Sequence, residues 1–69
     1  MSDKVFNRIK AVLAERGKTN NWLADQLGVN RVSVSKWCTN SMQPTVEMLF
    51  RIAEALDVEA KDLLVARKK

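Results

Sequence analysis

The sequence predicts an all-α domain, a compact bundle of five short helices, and three observations carry that reading. Apolar residues recur at three- and four-residue intervals along most of the chain. Good N-cap residues stand ahead of these runs at Thr19, Asn30 and Thr45, and residues tolerant of a left-handed backbone close them at Gly17, Gly28, Asn40 and Asp57. The 69 residues include one Cys and no His, so neither a disulfide framework nor a zinc site of ordinary spacing can staple the fold. A chain of this size buries only about 60% of the surface its unfolded form exposes. Stability is therefore expected to be modest and to rest on packing.

Ser2 or Asp3 can cap a first helix running to about Arg16, with Val5, Phe6, Ile9, Val12 and Leu13 on its apolar face. Gly17 ends it. Thr19 caps a second helix reaching Leu27, whose inner side is Leu23, Ala24 and Leu27, and Gly28 permits a tight reversal. Asn30 caps a third helix over residues 31–38. There Val34 and Trp37 share one face while Arg31, Val32, Ser35 and Lys36 fall on the others. Two short helices joined at a Gly, the second polar on its outer face, describe a helix-turn-helix. Thr39 to Pro44 is rich in turn formers. Thr45 then caps a fourth helix with a stripe of Val46, Leu49, Ile52, Ala53 and Leu56, Asp57 turns the chain, and Val58 returns it to the core. A short fifth helix from about Ala60 carries Leu63 and Leu64. We assign residues 1–66 to one domain and Arg67-Lys68-Lys69 to a basic tail, frayed and solvated.

The net charge is +4, and its distribution matters more than its sum. Residues 1–40 hold seven Lys/Arg against three acids, whereas residues 41–66 hold two against five. That polarity suits a domain whose early helices approach a polyanion while the later ones face away or meet another chain. A modest positive charge also serves solubility. The apolar stretches are too short to span a bilayer, which points to a cytoplasmic protein without a membrane partner.

The string Thr19-Asn20-x-x-Leu23-Ala24-x-x-Leu27-Gly28-Val29, followed by Val34-Ser35-Lys36-Trp37, Gln43-Pro44, Ile52-Ala53-Glu54-Ala55-Leu56 and Asp62-Leu63-Leu64, resembles the phage repressor and Cro-like (XRE-type) helix-turn-helix family. The resemblance covers nearly the whole chain in order. It implies a lambda-repressor-like domain in which the third helix reads the DNA major groove. Base contacts are then expected from Arg31, Val32, Ser33, Ser35 and Lys36. Arg31 has the bidentate fork suited to guanine, and Val32 the surface for a thymine methyl. The plain alternative for these residues is a solvated helix face.

Phosphate contacts are implied for Asn20, Asn21 and Asn30 and, through amides and side chains of the following loop, for Thr39, Asn40 and Ser41. Asn20 stands where the family usually has Gln, which shortens its reach, and it could instead serve only as a cap. Met42 falls where a basic residue is common, so about one ionic phosphate contact is missing. Trp22 occupies a position that is generally polar; it can cover the rim of the core, touch the DNA backbone or meet a partner. Many relatives place a buried Arg–Glu pair where this chain has Leu13 and Cys38. Both are apolar here, so no buried charge is left unpaired, and the two are expected in contact. A redox role for Cys38 is disfavoured, because no second Cys can resolve it.

Such domains bind as two-fold dimers on half-sites about 34–36 Å apart. The resemblance puts a homodimer interface around Phe50, Val58, Leu64 and Val65, although these residues could equally complete the core. The expected function is sequence-specific binding of a two-fold symmetric double-stranded operator by a small transcriptional regulator, a repressor or operon controller. No cofactor or metal is expected. An enzyme is excluded by the lack of His, of a Ser near a base and of a Gly-rich phosphate loop. An RNA binder is disfavoured by the absence of an aromatic stacking platform. The competing reading is an antitoxin-like or adaptor protein whose main partner is another protein.

Overall fold

The computed structural model describes residues 5–65. Among them stand four α-helices, α1 (Ile9–Glu15), α2 (Asn20–Leu27), α3 (Arg31–Cys38) and α4 (Val46–Leu56), followed by a single 3-10 turn, Ala60–Leu63. The expected fifth helix is thus only that turn. Four residues with Leu63 alone buried give too little apolar surface to extend it into an α-helix.

Three of the four starts follow from the side chain ahead of them. Thr19 Oγ1 accepts from Trp22 N at 3.1 Å, Asn30 Oδ1 from Val32 N at 2.6 Å and Thr45 Oγ1 from Met48 N at 3.1 Å, each satisfying a donor that has no partner inside its helix. The four ends share one design. Gly17, Gly28, Asn40 and Asp57 all take φ between 60° and 69°. In each case the next residue donates back five positions, as from Lys18 N to Leu13 O, Val29 N to Ala24 O, Ser41 N to Lys36 O and Val58 N to Ala53 O.

The first helix departs from expectation. It begins at Ile9, not near Asp3, and residues 5–8 stand outside any helix. Asn7 forms an isolated antiparallel bridge with Leu64, with Arg8 N donating to Leu63 O at 2.9 Å and Val65 N to Phe6 O at 3.1 Å. Pairing across the chain satisfies these backbone groups outside a helix, and Asn7 Oδ1 then caps the true start by accepting from Ile9 N. Val5 and Phe6, read as core, are exposed. The proposed caps Ser2 and Asp3, and the tail 67–69, lie outside the described residues.

The core is built from Ile9, Val12 and Leu13 of α1, Leu23, Ala24 and Leu27 of α2, Val34, Trp37 and Cys38 of α3, Ile52, Ala53 and Leu56 of α4, and Leu63. Val46 was assigned to this stripe but is 72% exposed, because the first turn of α4 overhangs the core. Leu49 is half-buried against it. α2 packs on both α3 and α4, and α1 meets α3 and the 3-10 turn. The second and third helices are thereby held from behind, with the outer face of α3 uncovered.

Candidate nucleic-acid interface

The reversal between α2 and α3 is the hinge of the site. Gly28 takes φ 69°, where a side chain would be strained although space for a Cβ is open. Behind it, Arg51 of α4 donates through Nη2 to Leu27 O at 3.1 Å and so occupies a carbonyl at the end of α2. This tie was not legible in the sequence, because the two residues are brought together only by packing.

α3 divides cleanly. Val34, Trp37 and Cys38 are buried, Ser33 is half-buried, and Arg31, Val32, Ser35 and Lys36 are exposed. Val32 is 58% exposed, a large aliphatic surface facing away from the core. Among the described residues the one ion pair is Arg8 with Glu15, at 3.0 Å and solvent-exposed. The charges of Arg31 and Lys36 are therefore not engaged there. One edge of the helix thus presents two cations, an aliphatic surface and a hydroxyl, the mixture that base edges and phosphates can use.

The start of α2 lies next to this edge in the fold. Asn20 is half-buried, and its Oδ1 accepts from Cys38 Sγ at 3.4 Å, which leaves the amide nitrogen as its remaining donor. Asn21 is exposed. Cys38 and Leu13 are buried in the same cluster, so the positions where relatives hold an ion pair are both absorbed into the core. Burial pushes the Cys38 thiol above its ordinary pKa, opposed by the nearby charge of Lys10. Trp22 is half-buried against the core, and Lys18 Nζ lies 4.8 Å from its ring centroid.

The loop after α3 is bonded largely within the protein. Its amides are consumed internally, Thr39 N by Ser35 O, Asn40 N by Trp37 O, and both Ser41 N and Met42 N by Lys36 O. The Asn40 side chain is also committed, accepting from Phe6 N, Asn7 N and Gln43 Nε2 and donating to Asn7 O. Asn40 is thus a strut, and the amides of residues 39–42 already have acceptors within the protein. Thr39 and Ser41 are both exposed, and their hydroxyls lie 2.9 Å apart. Of the residues expected at a dimer interface, Phe50, Leu64 and Val65 are exposed and Val58 is half-buried.

Two capped helices joined at a left-handed glycine, the second presenting a cationic outer edge, define a helix-turn-helix domain of the kind used in DNA-binding transcription regulation. The chain belongs to the XRE-type helix-turn-helix family, whose model (HTH_3, Helix-turn-helix) matches residues 9–63. It is 30% identical over 63 residues to the cryptic phage CTXphi transcriptional repressor RstR of Vibrio cholerae. That match takes in 91% of this chain and 53% of the relative, so the chain spans about half the length of that protein. Among solved structures it is similar to "a putative DNA-binding protein" from Bacteroides fragilis, with a TM-score of 0.84 and 47% identity over 86% of this chain and 95% of that one. No helix of the described residues is long and apolar enough to cross a membrane.

Proposed function

We propose that this protein is a sequence-specific double-stranded DNA-binding regulator, a repressor or operon controller, that inserts α3 into the major groove of a two-fold symmetric operator. The observation that carries the reading is the sorting of α3, with Val34, Trp37 and Cys38 locked inside while Arg31, Val32, Ser35 and Lys36 stand outside. Arg31, in the first turn, reads a guanine by its fork; Val32 packs on a thymine methyl; Ser33, Ser35 and Lys36 extend the contact along the groove. Phosphates are met by Asn20 and Asn21 with the free amides of the α2 N-terminus, by Asn30, and by Thr39 and Ser41 through their hydroxyls. Asn40 contributes by holding that loop. A homodimer forms on DNA through Phe50, Val58, Leu64 and Val65. The phage repressor relative and the DNA-binding neighbour support this reading.

A second reading, an adaptor or antitoxin-like subunit, is favoured by Val46 and Phe50, one turn apart on α4 and 72% and 61% exposed. Titration of wild type and Arg31→Ala against a genomic fragment pool at two salt concentrations separates the two. The DNA reading expects a selected two-fold site and, for the variant, a loss of roughly 5- to 150-fold with relaxed preference at one base in each half. Weak binding that vanishes at the higher salt and ignores the mutation would favour the adaptor.

A further inference from the structure

Asn7 is 3% exposed, the one buried polar residue among those described. Its side chain is fully used. Oδ1 accepts from Ile9 N; Nδ2 donates to Trp37 O at 3.0 Å and to Gln43 Oε1 at 2.8 Å. Gln43 Nε2 in turn donates to Asn40 Oδ1 at 3.1 Å, and Asn40 closes the circuit on the Asn7 backbone, accepting from its N–H and donating to its carbonyl. Three amide side chains from segments more than thirty residues apart thus form a closed ring. The ring grips the last turn of α3 at Trp37 O and both ends of the short run 40–43.

Closure matters because, apart from backbone bonds to the last turn of α3, the loop has no core packing to hold it. Its residues 39, 41 and 42 are exposed and contribute nothing to the core. A buried amide deprived of its partners costs more than the bond contributes, so the ring admits one loop geometry and penalises others. That geometry sets the Thr39 and Ser41 hydroxyls 2.9 Å apart, with Thr39 Oγ1 also within bonding distance of Ser35 O and Lys36 O.

We propose that the Asn7–Asn40–Gln43 ring is the positioning device of the DNA interface, fixing Thr39 and Ser41 as one phosphate-binding pair at the end of α3, in which the Thr39 hydroxyl holds Ser41 Oγ and the Ser41 hydroxyl turns its proton to the phosphate, with Asn7 and Gln43 acting on DNA without touching it. This deepens the DNA reading above and rests on it. The pair adds to what the loop offers, since the amides of residues 39–42 are bonded within the protein and Met42 supplies no charge.

The test is a double-mutant cycle on DNA affinity, using the duplex that wild type selects from a random-sequence pool. Gln43→Ala breaks the ring at an exposed position, and Asn7→Ser keeps a hydroxyl for the helix start while losing both donations. Both are measured alone and combined with Thr39→Ala/Ser41→Ala, at a temperature where circular dichroism shows every variant folded. Expected are losses of about threefold to tenfold for each ring variant in the wild-type background, shrinking to less than twofold once the two hydroxyls are gone. Equal losses in both backgrounds would overturn the coupling of the ring to the hydroxyls, and a lowered melting temperature with unchanged affinity would show that the ring serves the fold alone. Unchanged affinity on removing the hydroxyls overturns the pair while leaving DNA binding standing. Failure of wild type to select any duplex overturns the functional reading and this inference with it.

Discussion

The turns that end α3 and α4 share a backbone and differ in what their side chains do. Asn40 and Asp57 both sit at φ 60°, each followed by a residue that donates back five positions. Asp57 is exposed and acts through its backbone, its N–H bonded to Glu54 O and its carbonyl accepting from Arg16 Nη2 at 3.3 Å. Asn40 is half-buried and spends both ends of its amide on the extended segment at residues 6–7 and on Gln43. The same sequence signal, a polar residue where glycine is usual, therefore marks a mere accommodation in one place and a tertiary strut in the other. The strut stands at the end of the helix proposed to read DNA, and the accommodation stands behind it.

Substituting glycine at both positions breaks the comparison most sharply. Asn40→Gly relieves left-handed strain but strands the amides of Phe6 and Asn7 and the carbonyl of Asn7, and we expect a net loss of about 1–3 kcal/mol in urea unfolding. Asp57→Gly relieves the same strain and abandons no side-chain bond within the described residues, so it should stabilise by roughly 0.5–1 kcal/mol. If both substitutions stabilise, Asn40 is no strut.

A smaller effect comes from Cys38, whose thiol is buried and donates to Asn20. Its folded pKa lies above the ordinary value of 9.0, so the folded state keeps a proton that the unfolded chain releases. The stability this represents is full below pH 9 and drains away as pH rises through the folded pKa. Unfolding followed from pH 7 upward should show a downward slope beginning near the ordinary thiol value, and Cys38→Ala should flatten that part of the curve.

Helices α2, α3 and α4 were legible because their signals are local. A hydroxyl or amide two or three residues ahead of a free N–H, an apolar spacing of three and four, and a residue able to turn left-handed are all written within a few positions of where they act. The outer face of α3 was legible for the same reason. The first helix was misread because Val5 and Phe6 continue the spacing of Ile9, Val12 and Leu13, while the competing partner, the bridge to Leu64, lies 57 residues away. Val46 likewise matches the period of α4, and only the extent of the core behind it decides that this turn overhangs.

The sequence by itself determined the class of fold, the helix-turn-helix and the chemistry offered along residues 31–36. Periodicity and capping act over one or two turns, and the exposed side of a helix follows once its apolar side is known. Tertiary structure alone decided which polar residues face outward and which are consumed. Asn7, Asn40 and Gln43 satisfy one another across the chain, Arg51 ties off the end of α2, and the amides of residues 39–42 are bonded within the protein. A side-chain amide is equally suited to a phosphate, a cap or another amide, and its choice depends on what the finished packing brings within reach.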